Sequence, residues 1–120
     1  MAKHLEDDLQ TDLFRWAEYH PKLEFMYAVP NGGKRNKREA VRLKKQGVKS
    51  GVYDICLPIA RHGYHGLYLE LKIGKNNLTD NQKRFKRYVE ANGYRTETAY
   101  NLEEAINIIC GYSQLKKVTE

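Results

Sequence analysis

Asp54, Glu70 and Lys72 are the residues of this chain whose types and spacing best suit chemistry. They lie in its two clearest apolar, strand-forming runs, Val52 to Ile59 (VYDICLPI) and Leu67 to Ile73 (LYLELKI). The intervening Ala60 to Gly66 is polar and glycine-rich, as a hairpin connection should be. If that connection centres on His62, Asp54 falls opposite Glu70 on one face of the sheet, with Cβ atoms roughly 4.5–5.5 Å apart. Alternation then sets Lys72 beside Glu70 and turns Leu69 and Leu71 into the core. A register slip of one residue would move Asp54 to the wrong face. Two carboxylates so placed can share a magnesium ion, whose oxygen ligands sit at about 2.0–2.1 Å. Such an ion neutralises developing charge on a phosphodiester and makes a nucleophile of water near neutral pH. Lys72 would orient or help deprotonate that water, or act as a point cation on the transition state. Taken alone, the same residues also describe an ordinary cross-strand ion pair, because Glu-x-Lys on a strand is common.

The elements that must hold this face follow from periodicity and capping. Leu5, Leu9, Leu13 and Trp16 predict an amphipathic helix from about Leu5 to Tyr19, with Pro21 shortly after it. Phe25 to Val29 predicts a strand, stopped by Pro30, Asn31, Gly32 and Gly33. Asn36 with Glu39 has capping-box spacing and opens a basic helix closed by Gly47. Pro58 weakens the far end of the first long run or places it at a sheet edge. Thr79 with Gln82 caps another helix, whose apolar stripe is read as Phe85, Tyr88 and Val89, and Asn92-Gly93 ends it. Tyr94 to Tyr100 reads as a strand. Asn101 with Glu104 caps a last helix carrying Leu102, Ala105, Ile106 and Ile109 inward. The expected architecture is α/β, a mixed central sheet flanked by helices, as one domain over 1–115 with a frayed tail over 116–120.

With 120 residues, 41% hydrophobic and 30% charged, the chain suits one globular domain. No apolar run approaches a membrane span and the N-terminus lacks a secretory h-region, so the expected compartment is the cytoplasm, or a host cell's cytoplasm for a virus- or phage-encoded chain. Cys56 and Cys110 sit in apolar contexts and read as reduced core thiols. Net charge is +6, concentrated in Lys34, Arg35, Lys37, Arg38, Arg42, Lys44, Lys45 and Lys49, with a second cluster at Lys83, Arg84, Lys86 and Arg87. Segregated charge of this kind suits a polyanion, although two solvated helix faces would look the same.

Three segments in order, Gly51 to Ile55 (GVYDI), Leu67 to Lys72 (LYLELK) and Leu78 to Gln82 (LTDNQ), resemble the signature of the VRR-NUC nucleases of the PD-(D/E)xK, restriction-endonuclease-like superfamily. The resemblance extends to Glu6 to Gln10, Asn31 to Arg35, Leu43 to Gly47, Gly93-Tyr94 and Glu103 to Ala105, nearly the whole chain. Tyr53 departs from it, standing where the family usually has proline. The resemblance implies that Asp54, Glu70 and the backbone carbonyl of Leu71 hold Mg2+, with Mn2+ able to substitute, and that Lys72 serves the water. Glu6 would complete the metal site or its outer shell, and Gln82 would stand near it. Gln82 is also a capping residue for Thr79, and both roles can hold. Gln10, one turn beyond Glu6, could reach the same pocket. Lys34, Arg35, Lys37, Arg38, Lys44, Lys45 and Lys49 would cradle a DNA backbone.

The implied activity is an endonuclease acting on DNA, with branched substrates such as four-way (Holliday) junctions as the leading class. A homodimer is expected because one site cuts one strand. Two alternatives use the same residues: a flap or nicking nuclease of replication or repair, and a basic DNA-binding module without catalysis. His62 and His65 are a weak metal pair without further ligands. Gly32 and Gly33 lack a following GK[ST], so no nucleotide cofactor is expected. Tyr64 and Tyr68 could stack on bases or pack in a dimer.

Overall fold

In the computed structural model, which describes residues 2–30 and 36–115, helix α1 (Ala2–Ala17) buries Leu9, Leu13 and Ala17 on the stripe that its three- and four-residue spacing anticipates. Leu5 departs from that stripe and is 54% exposed. Trp16 is half-buried at the core margin. Pro21–Leu23 form a short 3-10 turn that no periodicity in the sequence announces, and its Leu23 joins the core.

The strands are β1 (Tyr27–Ala28), β2 (Ile55–Leu57), β3 (Leu67–Leu71) and β4 (Arg95–Ala99), in spatial order β1-β2-β3-β4. β1 and β2 pair antiparallel, as do β2 and β3, whereas β3 and β4 are parallel, so the sheet is mixed. Between β1 and β2 lies α2 (Lys37–Lys45), with Asn36 Oδ1 accepting from the Glu39 amide. α3 (Asp80–Ala91) is the crossover from β3 to β4, the usual means of making strands parallel. α4 (Leu102–Ser113) follows β4, capped by Asn101. Leu69, Leu71, Ala99, Ala105 and Ile109 meet Leu9 and Leu13 in one core between the sheet and helices α1 and α4. α3 covers the other face through Phe85, which packs on Tyr53 and Tyr68.

The observed strands are shorter than the apolar runs. The ladder pairs Ile55 with Leu69 and Leu57 with Leu67, a register centred on His62 as expected. The tight turn instead pairs Arg61 with Tyr64, centred between His62 and Gly63. Pro58, Ile59 and Ala60 on one side therefore match only His65 and Gly66 on the other. Pro58 cannot donate to a ladder, and the irregular step begins there.

Tyr88 is a correction. Its place in the pattern made it core, but it is 71% exposed. The strip of α3 facing the sheet is narrow, and Lys86 occupies its edge, donating to Thr96 Oγ1 at 2.9 Å and to Glu90 at 2.6 Å. Tyr68, by contrast, is packed between Phe85 and Tyr94 and is not free to stack on a base. Cys56 and Cys110 are buried and form no disulfide with each other. Among the described residues, no helix is long and apolar enough to cross a membrane.

Candidate active site

Asp54 stands one residue before β2, where the ladder opens. Its carbonyl accepts from the Val29 amide at 2.7 Å, and its own amide donates to Glu70 Oε1 at 3.1 Å. The Asp54 carboxylate in turn accepts from the Leu71 amide at 2.9 Å. Each acid thus holds the backbone of the other's strand, and the anticipated pairing is realised by side chains where the strand pairing has ended. Glu70 is buried, at 4% exposure, and its Oε2 accepts from Gln82 Nε2 at 2.8 Å and faces Lys72 Nζ at 3.8 Å.

Gln82 performs both roles considered for it. Its Oε1 accepts from the Thr79 amide at 2.9 Å, closing the capping box of α3, while its Nε2 reaches Glu70. Asn81, next to it, donates to Ser50 Oγ at 2.9 Å. Gly51 lies so close that a Cβ there would stand 2.5 Å from the Asn81 carbonyl oxygen, and its φ is +92°. Only glycine satisfies both conditions. The segment leading to Asp54 is therefore pressed against the first turn of α3. Tyr53 adds to this contact, its ring 5.4 Å from Phe85.

Burial pushes the Asp54 and Glu70 carboxyls above the ordinary carboxylate range, and the Asp54 charge pushes Glu70 further. Burial also raises Glu6, followed by the charge of Asp54, while Lys72 opposes the rise. Glu6 on α1 therefore shares the field of the acid pair. Gln10 is half-buried in a cleft with Phe14 and Ala28, and among the described residues it makes no hydrogen bond to Asp54, Glu70 or Lys72.

Two hard carboxylates of raised proton affinity, each with lone pairs to spare, are a fitting donor set for a divalent cation. Among the described residues no three His, Cys, Asp or Glu side chains converge as a complete cage. His62 makes no metal pair with His65: its Nε2 contacts the Gly111 and Tyr112 carbonyls, while the His65 ring packs on Tyr94.

Lys37, Arg38, Lys44, Lys45 and Lys49 are all exposed, and α2 buries none of its side chains. Lys34 and Arg35 lie outside the described residues. Sequence reasoning missed the Asn81–Ser50 tie and the pairing of Thr98 with Glu70. The second depends on parallel pairing across a helix, for which no local spacing is a signal.

A mixed four-stranded sheet with helices on both faces, and an acid pair and a lysine at the mouth of its central strands, defines an α/β fold of the nuclease type. A scan against family models and a search of the curated proteins found no match. A solved structure described as a VRR_NUC domain protein is similar to 93% of this chain and 90% of its own, at 29% identity and a TM-score of 0.79. This likeness over nearly the whole of both chains supports a VRR-NUC-type fold and a function of the nuclease type.

Proposed function

We propose that this protein is a metal-dependent DNA endonuclease that hydrolyses phosphodiester bonds, preferentially in branched DNA such as four-way junctions. The observation that carries the reading is the placing of two neighbouring carboxylates, Glu70 buried and Asp54 half-buried, on the backbone amides of Asp54 and Leu71, at 3.1 Å and 2.9 Å, with one lysine beside them. A structural ion pair needs one acid; a second buried acid costs stability unless a cation meets it. Asp54, Glu70 and the Leu71 carbonyl would hold Mg2+ or Mn2+, with Glu6 in its outer shell. When bound, the ion supplies Lewis acidity and lowers the pKa of water.

The chain's own groups do the rest. Gln82 fixes the Glu70 carboxylate. Lys72, half-buried beside Glu70, orients the attacking water or stabilises charge on the phosphate. The exposed cations of α2 hold the phosphate backbone beside the site, an attraction that weakens with salt. One site cuts one strand, so paired incisions call for a homodimer.

The test is cleavage of a four-way junction, a flap and a plain duplex, each with Mg2+ and with EDTA. The reading expects cation-dependent cutting, greatest on the junction and absent in Asp54→Ala. Equal cutting of all three substrates would remove the junction preference. Cleavage unchanged in Asp54→Ala would remove the site.

A further inference from the structure

We propose that the outward face of α3, formed by Lys83, Arg84, Arg87 and Tyr88, is a second DNA-contact surface that takes unpaired nucleotides beside the scissile phosphate, with Tyr88 as their stacking platform. This rests on the nuclease reading and deepens it by naming the substrate feature recognised.

The basic residues of this helix divide into two kinds. Lys86 is structural, tied to Glu90 and Thr96. Lys83, Arg84 and Arg87 are exposed, and among the described residues no carboxylate comes within ion-pairing distance of them. Lys83 with Arg87, and Arg84 with Tyr88, are four residues apart and so are neighbours on the helix surface. Tyr88 is 71% exposed, and its ring has no aromatic partner among the described residues. A large aromatic left open among uncompensated cations is the combination that binds single-stranded nucleic acid, with phosphates on the cations and a base on the ring. Fully paired DNA keeps its bases stacked on each other and offers the ring nothing comparable.

Position points the same way. Gln82, in the first turn of α3, touches Glu70, so the helix begins at the acid pair. Tyr88 is six residues further along, about 9 Å at the α-helical rise. That distance corresponds to roughly two or three nucleotides at about 3.4 Å each. The bond from Asn81 to Ser50 brings the segment after α2, with Lys49, to the same end of α3. The segment carrying Lys49 and the start of α3 therefore meet beside the acid pair, and a flap presents paired and unpaired DNA side by side.

The experiment measures fluorescence anisotropy of labelled single-stranded and fully paired oligonucleotides in EDTA, with the full chain carrying Tyr88→Ala, Tyr88→Phe or Lys83→Ala/Arg84→Ala/Arg87→Ala. Circular dichroism checks that each variant folds. Tyr88→Ala should weaken single-strand binding on the order of tenfold. It should leave duplex binding within about twofold, and Tyr88→Phe should bind as the parent does. The triple variant should flatten the salt dependence of single-strand binding by about 0.7 for each phosphate it no longer neutralises. Equal weakening on both oligonucleotides, no weakening on either, or no single-strand binding by the parent would each overturn the proposal. Cleavage by the parent with Mg2+ is scored separately. Cutting without a Tyr88 effect refutes the ridge alone, and a selective Tyr88 effect without cutting refutes the nuclease reading alone.

Discussion

Gln82 holds Glu70 with its side-chain amide nitrogen and caps α3 with the oxygen of the same group, at 2.8 Å and 2.9 Å. Helix start and acid placement are thus one structural event. Removing each function separately should separate their effects. Thr79→Ala should cost about 1 kcal/mol through the cap and leave cation-dependent cleavage largely intact. Gln82→Ala should cost a similar amount and also lower kcat, as thermal melts and cleavage rates together would reveal.

Glu70 holds its proton more tightly in the folded chain than in the unfolded one, through burial first and the Asp54 charge second. Between the ordinary carboxylate range and that raised value, the folded state binds more protons, so stability falls as pH rises through this window. In EDTA, Tm should decline from mildly acidic to mildly alkaline buffer, and Mg2+ should add a stabilisation that grows with pH. Glu70→Gln should remove that decline of the cation-free Tm with pH while abolishing cleavage. A flat Tm profile in EDTA would contradict this account.

Lys72 is expected to act on the reaction more than on DNA affinity. Lys72→Ala should reduce kcat by about 10²–10⁴-fold, with junction Kd nearly unchanged. Single-turnover kinetics at saturating enzyme would separate the two.

Tyr53 replaces a proline's rigidity with a ring. Tyr53→Ala should destabilise by about 3–5 kcal/mol, because the ring is 1% exposed and packs on Phe85. Tyr53→Phe keeps that packing and should stay within about 1.5 kcal/mol of the parent in denaturant melts.

The cations of α2 and of the segment that follows it should behave as positioning groups. Combined Lys44→Ala, Lys45→Ala and Lys49→Ala should weaken duplex binding uniformly across sequences. The same triple change should reduce the salt slope by about 0.9 for each phosphate left unneutralised. Titrations at several ionic strengths would measure it.

The acid pair was legible in the sequence because a hairpin register follows from alternation and the centre of its connection, and both are local. The side-chain N-caps of α2, α3 and α4 were legible for the same reason, although only Thr79 and Gln82 close a reciprocal box. Strand ends were not: Asp54 reads as a strand residue, yet its amide is bonded to the Glu70 side chain. Tyr88 escapes the core because periodicity shows that a helix has an apolar stripe but not how wide a stripe the facing sheet can accept. Leu5 shows the same limit at a helix end. The contact of Gly51 with Asn81 joins segments that are distant along the chain, and only folding brings them together.

The turn between β2 and β3 is fastened to the far end of α4. Arg61 Nε donates to the Ser113 carbonyl at 3.3 Å, His62 Nε2 lies 3.0 Å from the Tyr112 carbonyl, and the Tyr112 hydroxyl donates to the Ile59 carbonyl at 2.6 Å. A ribosome must therefore have passed Ser113 before this fastening can close. Until then the growing chain carries Asp54, Glu70 and Lys72 on strands whose connecting turn is not yet fastened, and the order of synthesis sets when that turn is secured.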